Sequence, residues 1–172
     1  YQAGYICGQY LIDKGHINIA CVTGWLVTDD GNQRHQGFLS ALNDNNMNIP
    51  EELIFKGDYT YRKGYEGALS LLKQDLPFTA LFCGNDQSAM SAIAAITNKG
   101  FEVPNDISVI GYDDMNIASY TSPPLTTVRI PFNRMAISAT RRLLNLCYNL
   151  ELDINYDFPI QLIERNSVKN MG

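Results

Sequence analysis

The stretch from Val103 to Asp114, Val-Pro-Asn-Asp-Ile-Ser-Val-Ile-Gly-Tyr-Asp-Asp, constrains the fold more than any other part of the chain. A polar turn feeds a short, nearly all-apolar run, Ile107 to Ile110, which ends in a glycine, an aromatic and two adjacent carboxylates. A strand apolar on both faces belongs in a parallel sheet that is covered on both sides. In such sheets ligands sit just outside the carboxyl ends of the strands. Asp113 and Asp114 therefore fall where a pocket is expected, and the other strand ends must supply their neighbours.

The rest of the chain reads as strands alternating with helices. Helical patterns run from about Gln2 to Lys14, Arg34 to Asn45 and Gln87 to Asn98, with another burying Tyr65, Ala68, Leu69 and Leu72 at i, i+3, i+4, i+7 spacing. Strand patterns cover Ile17 to Val22, Leu53 to Phe55, Thr79 to Cys83, Leu125 to Val128 and Phe158 to Ile163. Asn133 reads as the N-cap of a long helix burying Ala136, Ala139, Leu143, Leu146 and Leu150. A short helix or turn is expected near Asn116 to Tyr120. Alternation of this kind predicts an α/β fold, a parallel sheet with helices on both faces. Spacing does not give the strand order.

With 172 residues, the chain suits one domain. It carries 13 basic and 18 acidic side chains for a net charge of −5, and no Lys/Arg-rich block. Phosphate neutralisation needs clustered cations, so this polypeptide by itself is a poor nucleic-acid binder. Cys7, Cys21, Cys83 and Cys147 are widely spread, with no C-x-x-C pair. They read as reduced thiols of a cytoplasmic protein rather than as disulfides or zinc ligands. No signal peptide, membrane-spanning run or glycosylation sequon is evident, and no metal or cofactor is called for. The chain begins at Tyr1, directly in a helical pattern, and reads as lacking something upstream.

The residues that follow the strands form the candidate site. Trp25, Thr28, Asp29, Asp30 and Arg34 come after the first, and Tyr59 after the second. Asn85 and Asp86 follow the third, Asp113 and Asp114 the fourth, Arg129 and Phe132 the fifth. Fold geometry puts them on one edge of the sheet. Aromatic faces cover the C–H surface of a sugar ring, carboxylates and amides bind vicinal hydroxyls, and arginine offers a fixed fork of donors. Plainer roles compete. Tyr59 and Phe132 also read as core, and Trp25 as simple packing. Asp114 reads better as an N-cap than as a ligand contact, Asp86 as a cap, and Asn85 equally as turn residue or ligand contact. His16 and His35 read as ordinary surface or turn residues. There is no dinucleotide fingerprint, P-loop or nucleophile elbow. Adjacent Asp113 and Asp114 diverge along the backbone, so a hydrolase dyad is a poor fit; metal ligation with Asp86 and Asp30 is a minor alternative.

These residues together resemble the effector-binding core of the LacI/GalR family of bacterial transcriptional repressors. The match runs through Lys14-Gly15-His16, Ile19-Ala20 and Gly24, the R-x-x-G-F of Arg34 to Phe38, Gly57-Asp58-Tyr59, Thr79 to Phe82, Asn85-Asp86, Val103 to Asp114, Pro124 to Arg129 and Leu162 to Ser167. The resemblance implies a periplasmic-binding-protein type I-like fold of two α/β subdomains with a small effector between them. It assigns 1–16 to a leading helix, 17–127 plus 158–166 to the C-terminal subdomain, and 128–157 to part of the N-terminal one. The DNA-binding helix-turn-helix lies outside this chain. Arg34, Asn85 and Asp113 fall at the family's polar ligand contacts, and Tyr59 and Phe132 at aromatic positions. Thr28, Asp30 and Trp25 lie in a loop that departs from the family pattern, and Ile130 replaces a glutamine found in several members. The nearly all-round apolar helix Gln87 to Asn98 would lie in a homodimer interface with Met90, Ile93 and Ala94; the alternative is a helix hidden within its own chain. The function implied is sensing of a small effector by a repressor, with a sugar as the default and a purine as the alternative. A periplasmic sugar-binding transport protein and a small α/β enzyme are the competing readings.

Overall fold

The computed structural model describes all residues, 1–172. In chain order the elements are α1 (Gln2–Asp13), β1 (Ile19–Val22), α2 (Asp29–Asp44), β2 (Ile54–Phe55), α3 (Tyr61–Leu71), β3 (Ala80–Cys83), α4 (Asp86–Asn98), β4 (Ser108–Ile110), β5 (Thr127–Arg129), α5 (Phe132–Tyr148) and β6 (Gln161–Ile163). Single 3-10 turns cover Glu51–Leu53 and Asn116–Tyr120. The main sheet has the order β2-β1-β3-β4 with every pair parallel. Ile110 bridges in parallel to Thr126, so the chain entering β5 continues the sheet.

Strand periodicity divides the core into two layers. Ala20, Val22, Leu81, Cys83 and Val109 face α3 and α4, where they join Ala68, Leu71, Ala92 and Ile96. Ile19, Cys21, Ala80, Phe82 and Ile110 face α1 and α2, where they join Leu11, Phe38 and Leu42. Phe38 and Phe82 stack with ring centres 4.6 Å apart. The α1–α2 contact is backbone to backbone. A Cβ at Gly4 would collide with the carbonyl of Arg34, and one at Gly37 with that of Tyr1. This approach fixes the height of α2, and so of Arg34, against the sheet.

Each helix that follows a strand of the main sheet starts at the carboxyl edge. Thr28, Thr60 and Asn85 cap α2, α3 and α4 by accepting from the N–H groups of Gly31, Lys63 and Ser88. The Thr28 cap starts α2 at Asp29, five residues before the Arg34 expected from periodicity, and it shortens the loop after β1 to Trp25–Thr28. His16, expected at the surface, is fully buried; its ring nitrogens meet the Thr79 hydroxyl at 2.9 Å and the Lys169 carbonyl at 3.2 Å.

Three expectations fail in the last third. β6 pairs antiparallel with β5 rather than joining the parallel sheet. Asn133 is not the cap of α5, which begins at Phe132 after Pro131 with no capping side chain. The residues expected to be buried, Ala136, Ala139, Leu143, Leu146 and Leu150, are exposed, and Ser138 alone in α5 is buried. An amphipathic stripe buries only against an opposing surface, and the 154–158 segment beside this one lines an open groove with it and leaves it exposed. Residues 130–160 thus form an arm, joined to the α/β body through the β5–β6 pair.

Replacing fully buried Leu81 with Ala is expected to lower the unfolding free energy by about 2–5 kcal/mol. The same truncation at Leu146, 75% exposed, is expected to change it by under about 0.5 kcal/mol. Urea denaturation of the two variants reads both values.

Candidate functional site

Arg34 sits one turn into α2 and reaches over the carboxyl edge of the sheet. Its guanidinium carbon lies 3.6 Å from the Tyr112 ring centre and 5.2 Å from that of Tyr59. Nη1 donates to the carbonyl of Gly84, just past β3. Nη2 lies 3.6 Å from the Asp30 carboxylate, and buried Nε has no partner. Two aromatic faces and one carbonyl therefore hold a nearly buried cation in place while one donor edge stays unused.

Tyr59 follows β2 with φ at +71°. Its ring lies over Gly24, where any side chain would collide with it, and its hydroxyl is buried without a partner. Asn85 locks this arrangement. Its Oδ1 accepts from Ser88 N–H at 2.9 Å and its Nδ2 donates to the Tyr59 carbonyl at 3.0 Å. Both polar ends of Asn85 are engaged within the protein, so it shapes the site by holding Tyr59 and capping α4.

The adjacent carboxylates take opposite environments. Asp113 has φ at +120° and donates its N–H to Val128. Burial pushes its carboxyl up to about 7, against the pull of Arg34 and with help from the charges of Asp86 and Asp30. Asp114, with φ at +55°, turns the other way and pairs at 2.6 Å with both Arg129 and Arg165. Burial alone would raise its carboxyl, but Arg165 and Arg129 outweigh that and hold it below the usual range. The expected N-cap role of Asp114 is thus corrected: Met115 precedes the 3-10 turn, with no capping side chain. Asp86 is likewise not the cap but the first residue of α4; its carboxylate accepts from the Thr127 hydroxyl at 2.6 Å and Met115 N–H at 2.7 Å. With Asp86 and Asp114 so engaged, no cluster of three metal-ligating side chains forms.

Arg34, Tyr59, Asn85 and Asp113 thus meet at one rim. Phe132, 54% exposed, shares with Asp113, Asp114 and Arg129 a cleft of about 540 Å³. Thr28 caps α2, Asp30 flanks Arg34, and Trp25 is 58% exposed at the border of the rim. A more apolar groove of about 570 Å³, lined by Phe132, Met135, Ala139, Tyr156 and Phe158, runs along α5 away from the charged groups. Tyr112 was missed by the sequence reading, although the Gly-Tyr-Asp-Asp motif contains it. Arg165 was missed because nothing local ties it to the strand ends. On α4, Ile93 is only 5% exposed and packs in its own chain's core, while Met90 is partly buried and Ala94 exposed. Ile93 nevertheless borders a surface pocket together with Met90 and Ala94.

Because the native Asp113 carboxyl keeps its proton to a higher pH than the unfolded one, the native state binds more protons between the ordinary aspartate range and about 7. This group therefore costs stability as pH rises through that window. Asp113→Asn is expected to stabilise the chain by about 1–2 kcal/mol at pH 8, an advantage that shrinks toward pH 4 in urea titrations.

The periplasmic binding protein-like domain family matches residues 9–168. The HTH-type transcriptional repressor PurR of Photorhabdus laumondii is 42% identical over 169 residues, 98% of this chain and 50% of that protein. A LacI-family regulator from Burkholderia phymatum superposes with a TM-score of 0.93 at 36% identity, over 97% of this chain and 61% of that one. A sugar-binding LacI-family regulator from Escherichia coli, solved with phosphate, gives 0.90 at 34% identity, over 98% and 61%. The chain spans about half the length of the curated relatives it matches. No helix is long and apolar enough to cross a membrane. The chain belongs to the periplasmic binding protein-like domain family, and the solved structures it resembles here are LacI-family transcriptional regulators.

Proposed function

We propose that this chain is the effector-sensing part of a cytoplasmic LacI-type repressor, and that it binds rather than transforms a small molecule. The observation that carries this is the meeting of Arg34, Tyr59 and Asp113 at the carboxyl edge of the sheet, with the Arg34 Nε and the Tyr59 hydroxyl buried and unpartnered. Spare donors beside a carboxylate and aromatic faces suit a ligand with both hydroxyl donors and acceptors. A sugar is the favoured effector, in agreement with the sugar-binding LacI-family regulator of Escherichia coli that this chain resembles. Trp25 and Phe132 would cover the ring, Thr28 and Asp30 would border it, and Asn85 would hold Tyr59.

The domain assignment extends this reading. Residues 17–127 with 158–166 form the C-terminal subdomain, and 128–157 reach into the N-terminal one. The uncovered stripe of α5 supports that division, because an apolar face of this width is normally buried. The whole protein would be a homodimer through the α4 face that carries Met90 and Ala94, and would meet DNA only through a helix-turn-helix outside these residues. An effector that prefers one subdomain angle would shift that equilibrium and with it DNA affinity.

Calorimetric titration of the whole protein with a panel of mono- and disaccharides and purine bases tests the site. Asp113→Ala and Arg34→Ala are each expected to weaken binding of the responding compound by about 10–100-fold. Unchanged affinity in both variants would remove the site assignment, and response to a base alone would replace the sugar by a purine.

A further inference from the structure

The arm of residues 130–160 meets the α/β body through two strands, and one carboxylate grips both. Oδ2 of Asp114 accepts from Nε of Arg129 on β5 at 2.6 Å. Oδ1 accepts from Nη2 of Arg165, just past β6, at 2.6 Å. Arg165 also donates through Nη1 to the Leu125 carbonyl at 2.7 Å and through its backbone N–H to the Thr126 hydroxyl at 2.9 Å, which ties the end of β6 to the start of β5. The Asp114 N–H lies 3.4 Å from the Thr127 hydroxyl.

We infer that Asp114 is a positioning residue: its paired contacts with Arg129 and Arg165 set the direction in which the arm leaves the body, and so the place of Phe132 relative to Asp113. Asp113, Asp114, Arg129 and Phe132 line one cleft. Two carboxylates adjacent in sequence thereby divide the labour: one faces the cleft and the other fixes the cleft's far wall. At the base of the arm Ile130 and Ile160 pack partly buried against the core, but the stripe residues of α5 are exposed and the β5–β6 ladder is only three residue pairs long. The geometry of a bidentate carboxylate shared by two guanidinium groups is directional, unlike apolar packing. This inference goes beyond effector sensing and does not depend on which compound binds.

The arm carries an exposed cysteine, Cys147, whereas Cys7, Cys21 and Cys83 are buried. A spin label on Cys147 and a second on Asn43→Cys, an exposed position of α2, report the distance between arm and body by double electron–electron resonance, measured with excess unlabelled chain. The parent chain is expected to give one narrow distance peak. Asp114→Asn and Arg129→Gln are each expected to lose that peak to a broad distribution while circular dichroism stays native. Asp113→Asn should keep the peak narrow. Arg129 is half exposed, so its variant decides the matter if Asp114→Asn does not fold. A narrow, unmoved peak in Arg129→Gln, with or without a lower melting temperature, would overturn the inference, because Asp114 would then only stabilise the body. Equal broadening in Asp113→Asn would overturn it too, by tracing the effect to the loop and not to the ion pairs.

Discussion

β3 is the constraint on which the rest of the molecule depends. Its four residues are buried on both faces, and its backbone is paired on both edges, in parallel, with β1 and β4. A buried strand in water-excluded surroundings must find partners for every N–H and C=O, and parallel partners need crossover helices. Those helices begin where the strands end, so Thr28, Thr60 and Asn85 cap them along one edge. Side chains that are far apart along the chain arrive together there because of hydrogen bonding in the sheet, before any ligand is considered.

That edge holds a cation that is costly to desolvate. Arg34 is almost withdrawn from water, and such a group is tolerated only when its charge and donors are met. Tyr112 and Tyr59 present their faces, the Gly84 carbonyl accepts one N–H, and Asp30 and Asp113 supply negative charge nearby. Cation–aromatic contacts contribute about 0.5–2 kcal/mol each, which offsets part of the desolvation. The remaining unpartnered donor and the strained backbone of Tyr59 and Asp113 are features typically kept at binding sites, where positive φ values cost about 1–3 kcal/mol.

Asp113 and Asp114 show how environment outranks residue type. Both are aspartates, adjacent, with positive φ. One is raised to about 7 because burial dominates; the other is held low because two arginines reach it. The arm beyond them is the complement of the packed body. Its ion pairs define where it starts, while its apolar stripe and groove define nothing within residues 1–172.

Much was legible in the residues themselves. Period-2 and period-3.6 patterning identified the parallel α/β class and every strand of the main sheet to within two residues, because both periods are local properties of a backbone that must bury one face. Motifs at the strand ends, read by resemblance, picked out Arg34, Tyr59, Asn85 and Asp113. Only the folded chain decided the strand order, the antiparallel turn of β6 and the early start of α2 at the Thr28 cap. It alone showed that Asn85 spends both polar ends inside the protein, that Ile93 is only 5% exposed, and that Asp114 seeks Arg129 and Arg165 instead of capping a turn. It also left the α5 stripe bare where patterning had buried it. The physical reason is common to all of these. A hydrophobic repeat states that a face will be covered, and a charged side chain states that it will find a partner, but which surface and which partner are settled by contacts between residues as far apart as 114 and 165, which no local pattern encodes.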